Sequence, residues 1–436
     1  MLENNSALDK LTGDLSGHIR MSKGYLSWMT ILTLSLLVCL YAYYIQLQEG
    51  LGVTGLRDIV SWGMYISTFV FFVASSLIGM LISSVLGMIG MKWITPISRI
   101  AEIIAVAFSA VAGLVIVSDM GRPERLLYVF IYGRFQSPIL WDVTVVTVYF
   151  LLSLLLFLIP MIPDISILYQ KKINMPKWVR LTYKYLSFSW SNLPEQNDII
   201  RRVVRILLLL IIPTALAIHT VTSWLFAVTH RPGWDSTIFG PYFVSGAFVA
   251  GAAAVIIAMY VFVKNYKLQD YITAKHFNNM GKLLVLVSFV YLYFNINEYL
   301  VPGYKLKTAD AIHLHDLFIG ENALLFWMVQ LGGLVIPIIL MLFRRFRKPI
   351  PLMIIAIVIF VAAWFKRYLI VVPTMENPFL PVQHVPVNFK IYTPTLVETA
   401  ITLGSFMLVL MIITVLSKFF PVVPIYETAK EEKIIK

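Results

Sequence analysis

The chain has 436 residues, of which 59% are apolar and only 13% are charged, about half the charged share of an average soluble domain. With a mean hydropathy of +0.81, it cannot be a soluble globular protein, and its long apolar runs exclude a disordered chain. The net charge of +12 is carried mainly by short loops between the apolar runs. This pattern predicts a fixed membrane topology and contact with anionic lipid headgroups, not binding to nucleic acid.

Ten apolar runs are long enough to cross the hydrocarbon core, which takes about 20 helical residues. They lie at 24–47, 59–90, 100–118, 140–162, 203–229, 242–263, 282–300, 322–343, 350–371 and 395–417. The predicted fold class is therefore an all-α integral membrane protein with about ten transmembrane helices. The first run is long for a signal peptide and lacks a clear cleavage site, so we interpret it as a helix.

The distribution of Lys and Arg predicts the orientation. Twenty-five of these residues lie in the N-terminal segment, the even-numbered loops and the C-terminal tail, and eight lie in the odd-numbered loops. The positive-inside rule therefore predicts that both termini are cytoplasmic and that the odd-numbered loops face outward. The predicted location is the cytoplasmic membrane, which the chain crosses many times.

A weak internal repeat relates spans two to five to spans six to nine. Each set opens with a helix rich in small residues, at Ser61-Trp-Gly-Met-Tyr and at Pro241-Tyr-Phe-Val-Ser-Gly. Each set closes with a helix that carries a basic or imidazole group, first His219 and then Lys366 and Arg367. The repeat predicts two parallel four-helix bundles, with spans one and ten outside them.

This interpretation divides the chain into six segments. They are a cytoplasmic N-terminal segment (1–23), the first span with its loop (24–58), the first bundle (59–229), the second bundle (230–371), an outer loop with the last span (372–417), and a cytoplasmic tail (418–436).

The content of metal ligands argues against a resident redox cofactor. Cys39 is the only cysteine, whereas an iron–sulfur cluster takes about four such ligands. His219 is the only histidine deep in an apolar span, so a pair of axial haem ligands cannot be found. We expect this chain to hold no haem, iron–sulfur cluster or metal.

Ionisable groups within membrane spans are costly and serve as functional hypotheses. The candidates are Glu102, Asp119, Asp142, His219, Glu298, Lys366, Arg367 and Glu398. For each of them the alternative is an interhelical salt bridge or an anchor at the membrane surface. Six of them predict a partial proton route: Glu102, His219, Glu298, Lys366, Arg367 and Glu398. His219 would titrate most readily, because imidazole changes charge near neutral pH. A static polar network that holds the two bundles together is an equally weighted alternative.

Three polar strings stand in the odd-numbered loops. The first, Asp119-Met-Gly-Arg-Pro-Glu-Arg, ends span three, and the second, Ser137-Pro-Ile-Leu-Trp-Asp, opens span four. The third runs from Arg231-Pro-Gly-Trp to Phe-Gly-Pro241 before span six. In the first string we expect the proline to stop the helix and Asp119 to pair with Arg122, three residues on. A structural role is also open to Asp142, because the helix dipole would stabilise an acid in a first helical turn.

These strings resemble the NrfD/PsrC family of quinone-reactive membrane subunits, of the type found in polysulfide reductase. Two further stretches resemble it more weakly, at 367–373 and 418–424, so the resemblance runs from about residue 57 to 427. In length the chain is most similar to the membrane subunits of alternative complex III and of the Hme/Dsr complexes. The resemblance implies a subunit without cofactors of its own that exchanges electrons with an isoprenoid quinone such as menaquinone.

The resemblance also implies partners and site residues. The partners would be a ferredoxin-like iron–sulfur subunit and, in some complexes, a molybdopterin-type catalytic subunit or cytochrome subunits. The pocket would lie near the outer face, with Asp119, Asp142 and His219 as catalytic residues and Arg122 and Arg367 beside the quinone. Relatives in alternative complex III have a histidine where this chain has Asp119, which can accept a proton but cannot offer a neutral imidazole. Glu398 matches a recurring acid in the last span.

The residues by themselves are consistent with two functions of different classes. One is the membrane subunit of a quinone-dependent oxidoreductase, which is not catalytic by itself and which could also translocate protons. The other is a secondary transporter or ion channel, since buried charges in tandem bundles suit that role as well. Copurification distinguishes the two, because only the respiratory subunit should leave the membrane with an iron–sulfur protein and bound quinone.

Overall fold

The computed structural model describes residues 2–16, 22–87, 89–171, 175–379, 384–386 and 389–434, and all regular structure in these ranges is helical. Arg20, Lys172 and Lys436, which contributed to the predicted orientation, lie outside the described residues, as do parts of the predicted terminal segments 1–23 and 418–436. The all-α fold class is confirmed for the described part of the chain.

The described residues contain fourteen main helices. They are α1 (Leu2–Leu15), α2 (Lys23–Glu49), α3 (Met64–Ser76), α4 (Thr95–Asp119), α5 (Pro138–Gln170), α6 (Lys177–Leu186), α7 (Pro194–Ala227), α8 (Phe239–Tyr266), α9 (Ala274–Lys305), α10 (Thr308–Phe318), α11 (Ala323–Leu342), α12 (Pro349–Glu376), α13 (Leu396–Phe419) and α14 (Ile425–Glu431). Within the described ranges, nine of them are long and apolar enough to span a membrane: α2, α4, α5, α7, α8, α9, α11, α12 and α13. The shorter α3 is a tenth apolar helix, in agreement with about ten predicted spans.

The second predicted span, 59–90, is not one continuous helix. Helix α3 begins only at Met64, ends at Ser76, and is followed by a short helix and a π-helical turn at Leu81–Leu86. The hydroxyl of Tyr149 donates to the carbonyl oxygen of Ser76 at 2.8 Å. This contact comes from α5 and occupies the carbonyl at the break, and such local competition is a known cause of irregular helices. An apolar run cannot reveal a break of this kind.

The helices pack as two rings of four. In the first ring α3 contacts α4, α4 contacts α5, and α5 contacts α7; in the second, α8 contacts α9 and α12, and α11 contacts α9 and α12. The rings meet through α3 and α8, and the opening helix of each ring also contacts the closing helix of the other, α3 with α12 and α8 with α7. This is the packing expected of two parallel repeats, whereas the six segment boundaries proposed above stay a prediction.

Helix α8 lies at the centre and α2 at the edge. In α8 78% of the most apolar stretch is buried, against 11% in α2. Close packing at the centre depends on Gly251, because a β-carbon there would lie 2.5 Å from the β-carbon of Ile78. At the edge, α2 packs against α13, and a β-carbon on Gly404 would lie 2.2 Å from the sulfur of Cys39. Helices α2 and α13 are therefore the flanking spans.

Arg231 connects segments on the side of the odd-numbered loops through hydrogen bonds. The guanidinium of Arg231 donates to the carbonyl oxygen of Met375 and to that of Ile59, both at 3.1 Å. Beside it, the indole of Trp234 donates to the carbonyl oxygen of Ile370 at 2.8 Å. The third polar string thus joins loop one, loop five and the end of α12. We call this end of the molecule the odd-loop side.

Candidate functional site

Asp119 is the last residue of α4, on the odd-loop side. The helix ends there because Met120 takes an extended conformation, three residues before the predicted stop at Pro123. The Oδ1 atom of Asp119 is buried and accepts no hydrogen bond from any described residue. The predicted ion pair with Arg122 is wrong for the described structure: Arg122 is exposed, and no such pair forms. The chain leaves the helix at Met120, so the three-residue helical spacing that would join the two side chains is lost.

Four helices converge around Asp119. The hydroxyl of Tyr65 on α3 donates to Oε1 of Gln46 at 2.7 Å, and the amide of Gln46 on α2 donates to the carbonyl oxygen of Ser118 at 2.6 Å. Glu398 on α13 lies near enough to interact electrostatically with Asp119. Two carboxylates close together in a medium of low dielectric repel each other, so a hydrogen-bond donor at this position would be favourable.

The carboxylate of Glu398 has its acceptor sites occupied by protein donors. It accepts the N–H of Gly55 at 2.7 Å, the hydroxyl of Tyr392 at 2.8 Å and the N–H of Thr395 at 3.1 Å. Glu398 is fully buried and forms a capping box with Thr395 at the start of α13. These contacts give Glu398 a structural function, and its predicted part in a proton route is not tested by them.

Asp142 lies on α5 and faces α7. It is 4% exposed, and its Oδ1 accepts the hydroxyl of Thr222 at 2.5 Å. Because α5 begins at Pro138, Asp142 lies beyond the first turn, where the expected stabilisation by the helix dipole is weak. Asp119 faces α2, α3 and α13 instead, so the two acids have different neighbours.

His219 and Arg367 lie on two helices, α7 and α12, that both pack against α8. His219 on α7 is 1% exposed, and within the described structure its Nε2 has no hydrogen-bond partner. The guanidinium of Arg367 on α12 lies 5.3 Å from the ring centroid of Phe243 and is near enough to His219 to interact electrostatically. A β-carbon on Gly246 would lie 2.8 Å from Arg367 Nη2, so glycine makes room for the guanidinium. The structure thus brings together the two groups that close the predicted repeats.

Lys366 and Glu298 belong to a second polar group. The ammonium of Lys366 donates to the hydroxyl of Tyr299 and lies 4.6 Å from the centroid of its ring. Glu298 on α9 is close enough to Lys366 for electrostatic attraction. A chain of side-chain hydrogen bonds continues from this group, with Tyr242 donating to Asn295 at 3.1 Å and Asn295 donating to Gln330 at 2.7 Å.

Two small cavities adjoin this group. The first holds about 20 Å³, and its polar lining includes Glu298, Tyr299, Asp310 and His313. The second holds about 30 Å³, and its polar lining is Tyr291, Gln330, Lys366 and Arg367. Each is large enough for about one water molecule with polar partners. Polar groups and water-sized spaces therefore run from the odd-loop side into the middle of the second ring.

Glu102 lies at the other end of the molecule. It is in the second turn of α4 and pairs with Arg99, at 3.6 Å, whereas His219 lies in the half of α7 nearest the odd-loop side. Arg99 also pairs with Asp164 at 3.0 Å, and Asp164 accepts the N–H groups of Ile425 and Tyr426 at the start of α14. The structure does not bring Glu102 to the other predicted members of the proton route.

Sequence reasoning missed the polar groups that do not ionise in a span. Gln46, Asn295 and Gln330 stand inside apolar runs, and their amides form hydrogen bonds between helices, from α2 to α4 and from α9 to α11. A search for any amide in a span would have found them, since such groups must be hydrogen-bonded there. His313 was missed because α10 is a short helix between spans, and only the tertiary structure shows that it is buried.

Burial lowers the pKa of His313 to about 4, and the nearby positive charge of Lys366 acts in the same direction, while Asp316 opposes it. Gly233 packs against the ring with a φ of +83°, and a β-carbon there would lie 3.2 Å from Nε2. A left-handed conformation of this kind favours glycine. The string Arg231-Pro-Gly-Trp thus also serves to seat His313 in its neutral form.

Residues 52–376 match the family described as "Polysulphide reductase, NrfD". The chain belongs to the NrfD family. The resemblance that the three polar strings predicted is confirmed, and the matched region covers both helix rings.

Three curated relatives extend the NrfD comparison. A putative membrane subunit of dimethyl sulfoxide reductase from Halobacterium salinarum is 28% identical, over 86% of this chain and 87% of its own length. A selenate reductase subunit of Mesobacillus selenatarsenatis is 25% identical, over 91% and 94%. An Hdr-like menaquinol oxidoreductase integral membrane subunit of Archaeoglobus fulgidus is 21% identical, over 94% and 96%. All three matches include most of both chains.

Proposed function

We propose that this chain is the quinone-reactive membrane subunit of an oxidoreductase complex. It exchanges electrons between the quinone pool of the membrane and a ferredoxin-like iron–sulfur partner, which docks on the odd-loop side. Membership of the NrfD family supports the proposal, as does the relative named a menaquinol oxidoreductase subunit. The quinone is a substrate here, and we propose that the chain itself binds no haem, cluster or metal.

The unpartnered Oδ1 of Asp119 is the observation that carries the proposal. Buried polar atoms are nearly always hydrogen-bonded, so an orphaned acceptor points to a ligand or water. The hydroxyl of a quinol is a donor of the required kind. Asp119 lies at the odd-loop end of α4 with this atom buried, which supports its assignment as the acceptor of such a hydroxyl. We also assign the exposed Arg122, three residues further on, to contact with the quinone.

Oxidation of one quinol to quinone releases two protons and two electrons. One proton passes from a quinol oxygen to Asp119, and the second passes to Asp142 or to His219. The two electrons leave one at a time to the iron–sulfur partner, and quinone reduction runs through the same groups in reverse. Arg367 is near enough to His219 to interact with it electrostatically, and we assign its positive charge to stabilising an anionic quinone oxygen.

Proton translocation is a further part of the proposal. Glu298, Lys366 and Arg367 line the two water-sized cavities, and His219 is near enough to Arg367 to interact with it electrostatically. These observations support an inward path through the four groups. In this proton path Glu102 would be a distant member on the inner side. Glu398 would take part only as a neighbour of Asp119. The competing interpretation is that these groups form a static network between the two rings.

The proposal is tested in the intact complex in native membranes. Asp119→Asn keeps the size of the side chain but removes the proton acceptor, and loss of one general base costs about 10²- to 10⁴-fold in rate. We expect turnover of quinol to fall by at least 100-fold with the complex still assembled. Glu124→Gln is the matched control, since Glu124 is an exposed acid in the same string. Unchanged turnover in Asp119→Asn would remove Asp119 from the mechanism.

A transporter would behave differently on purification. In that case the chain would leave the membrane without iron–sulfur protein, and the organic extract would hold no stoichiometric quinone. A respiratory subunit should retain both. This measurement tests the function class independently of any one residue.

A further inference from the structure

Helix α6 has three distinct faces. It connects α5 to α7 on the side opposite the odd loops and carries the sequence Lys-Trp-Val-Arg-Leu-Thr-Tyr-Lys-Tyr-Leu. Successive residues of an α-helix are about 100° apart. On this geometry one face is directed to the protein, one is basic, and one is apolar and exposed. The helix lies outside the spans and contains no acidic residue.

The protein face holds α6 at the end of a membrane span. Val179 and Tyr183 are buried, and the hydroxyl of Tyr183 donates to the carbonyl oxygen of Phe419 at 2.5 Å. The rings of Trp178 and Phe419 also meet, with centroids 4.8 Å apart. Since Phe419 is the last residue of α13, these contacts place α6 at the level where that span leaves the hydrocarbon core.

The two remaining faces are exposed and differ in polarity. Trp178, Leu181 and Tyr185 form the apolar face and are 50%, 55% and 70% exposed. Lys177, Arg180 and Lys184 are exposed on the adjoining face, and the guanidinium of Arg180 also lies 5.8 Å from the centroid of the Tyr169 ring. The centre of these three cations lies about 100° around the helix from the centre of the apolar face.

We propose that α6 lies in the plane of the membrane surface and binds the headgroups of anionic phospholipids. A helix of this kind at a membrane surface inserts its apolar face among the acyl chains and presents its basic face to the lipid phosphates. A basic side chain near an anionic surface favours binding by about fivefold, and α6 presents three of them with no acid to offset their charge. Phospholipids with net negative charge fit this surface better than zwitterionic ones.

The test uses the full-length protein reconstituted in nanodiscs. Cys39 is first replaced by Ala, and Leu181→Cys then carries a fluorophore at the centre of the apolar face. Quenching is compared between phosphatidylglycerol and phosphatidylcholine that bear the same spin label near the headgroup. We expect the anionic lipid to quench several times more effectively at equal mole fraction, and the preference to shrink at high salt, because salt screens exposed charges.

Two triple variants complete the design. Lys177→Gln with Arg180→Gln and Lys184→Gln should abolish the preference for the anionic lipid while leaving the melting temperature unchanged. The control replaces three other exposed lysines on the same side, Lys264, Lys267 and Lys275, with Gln and should keep the preference. Equal quenching by both lipids in the parent protein would overturn the proposal, as would a fluorophore shielded from both, since the surface would then belong to a protein partner.

Discussion

The carboxylate of Glu398 accepts the backbone N–H of Gly55 at 2.7 Å, although the two residues lie in the last span and the first loop. The same carboxylate accepts the hydroxyl of Tyr392, which in turn accepts the N–H of Met64 at the start of α3. One buried acid thus joins three elements next to Asp119. The structure around Asp119 therefore depends on Glu398, a residue that need not take part in the chemistry.

Glu398→Gln should therefore lower stability more than turnover. The amide replaces one acceptor oxygen with a donor that faces another donor, and leaving a buried hydrogen bond unmade costs about 1–3 kcal/mol. We expect a lower melting temperature of the purified complex and quinol turnover within about twofold per assembled complex. Glu321→Gln, at an exposed acid on the odd-loop side, is the control. Normal melting together with lost turnover would instead make Glu398 a member of the proton route.

Asp142 and Thr222 allow a proton acceptor to be separated from its hydrogen-bond donor. Asp142→Asn should lower quinol turnover by about 100-fold or more if Asp142 accepts a proton, and the complex should still assemble. Thr222→Val leaves the acid without its donor, which at a charged group is worth about 1.5–3 kcal/mol, and should cost about tenfold or more. Thr220→Val is the control, because Thr220 lies on the same helix and its hydroxyl donates only to a backbone carbonyl. Failure of Asp142→Asn to assemble would favour a purely structural role.

His219→Gln distinguishes a proton route from a static network. Glutamine keeps a hydrogen-bonding side chain of similar length but cannot titrate. If protons pass through His219, the number of protons translocated per electron should fall in reconstituted vesicles while the complex stays folded. His230→Gln, at an exposed histidine on the odd-loop side, should change nothing. Normal proton coupling in His219→Gln across the pH range would assign His219 to the network.

Labelling tests both the orientation and the partner surface. In a Cys39→Ala background, a cysteine at Thr237 should react with an impermeant maleimide added from outside, because this residue is exposed on the odd-loop side. It should be protected in the assembled complex by the iron–sulfur partner. A cysteine at Lys267, exposed on the other side, should react only after the membrane is opened. The reverse pattern would invert the topology.

His313 should make the protein sensitive to acid. Its pKa in the folded chain, lowered by burial to about 4, lies below the value of about 6.5 for an unperturbed histidine. The unfolded chain therefore binds a proton first, so the stabilisation is fully present above pH 6.5 and is lost as the pH falls toward 4, by about 1.4 kcal/mol per pH unit. His313→Gln should show a flatter melting temperature across this window.

The control for that experiment is His315→Gln, because His315 is an exposed histidine on the same helix. It should retain the full acid sensitivity of the parent protein. A His313 variant that loses stability with falling pH as steeply as the parent would show that other groups govern the effect.

The apolar runs predicted the membrane class and the positions of nine long helices to within a few residues at most ends. Length and hydropathy suffice for this, because every backbone polar group in lipid must be satisfied within its own helix. Length and hydropathy do not predict the break in span two after Ser76, because the hydroxyl that occupies the carbonyl oxygen there comes from another helix, α5. The three polar strings identified the family because they combine proline, glycine and charge at the ends of spans. There, the packing of apolar side chains places little constraint on which residues occur.

The amino-acid sequence by itself determined which residues could carry charge into the membrane, and all eight candidates are found in membrane-spanning helices. Only the tertiary structure decided which of them meet. It brings His219 within electrostatic range of Arg367 and Lys366 within electrostatic range of Glu298, gives Glu398 three protein donors, and leaves Glu102 at the far end with Arg99. The physical reason is that a side chain's depth follows from its place along one helix, whereas its partners follow from how neighbouring helices rotate and pack, and no local pattern encodes that.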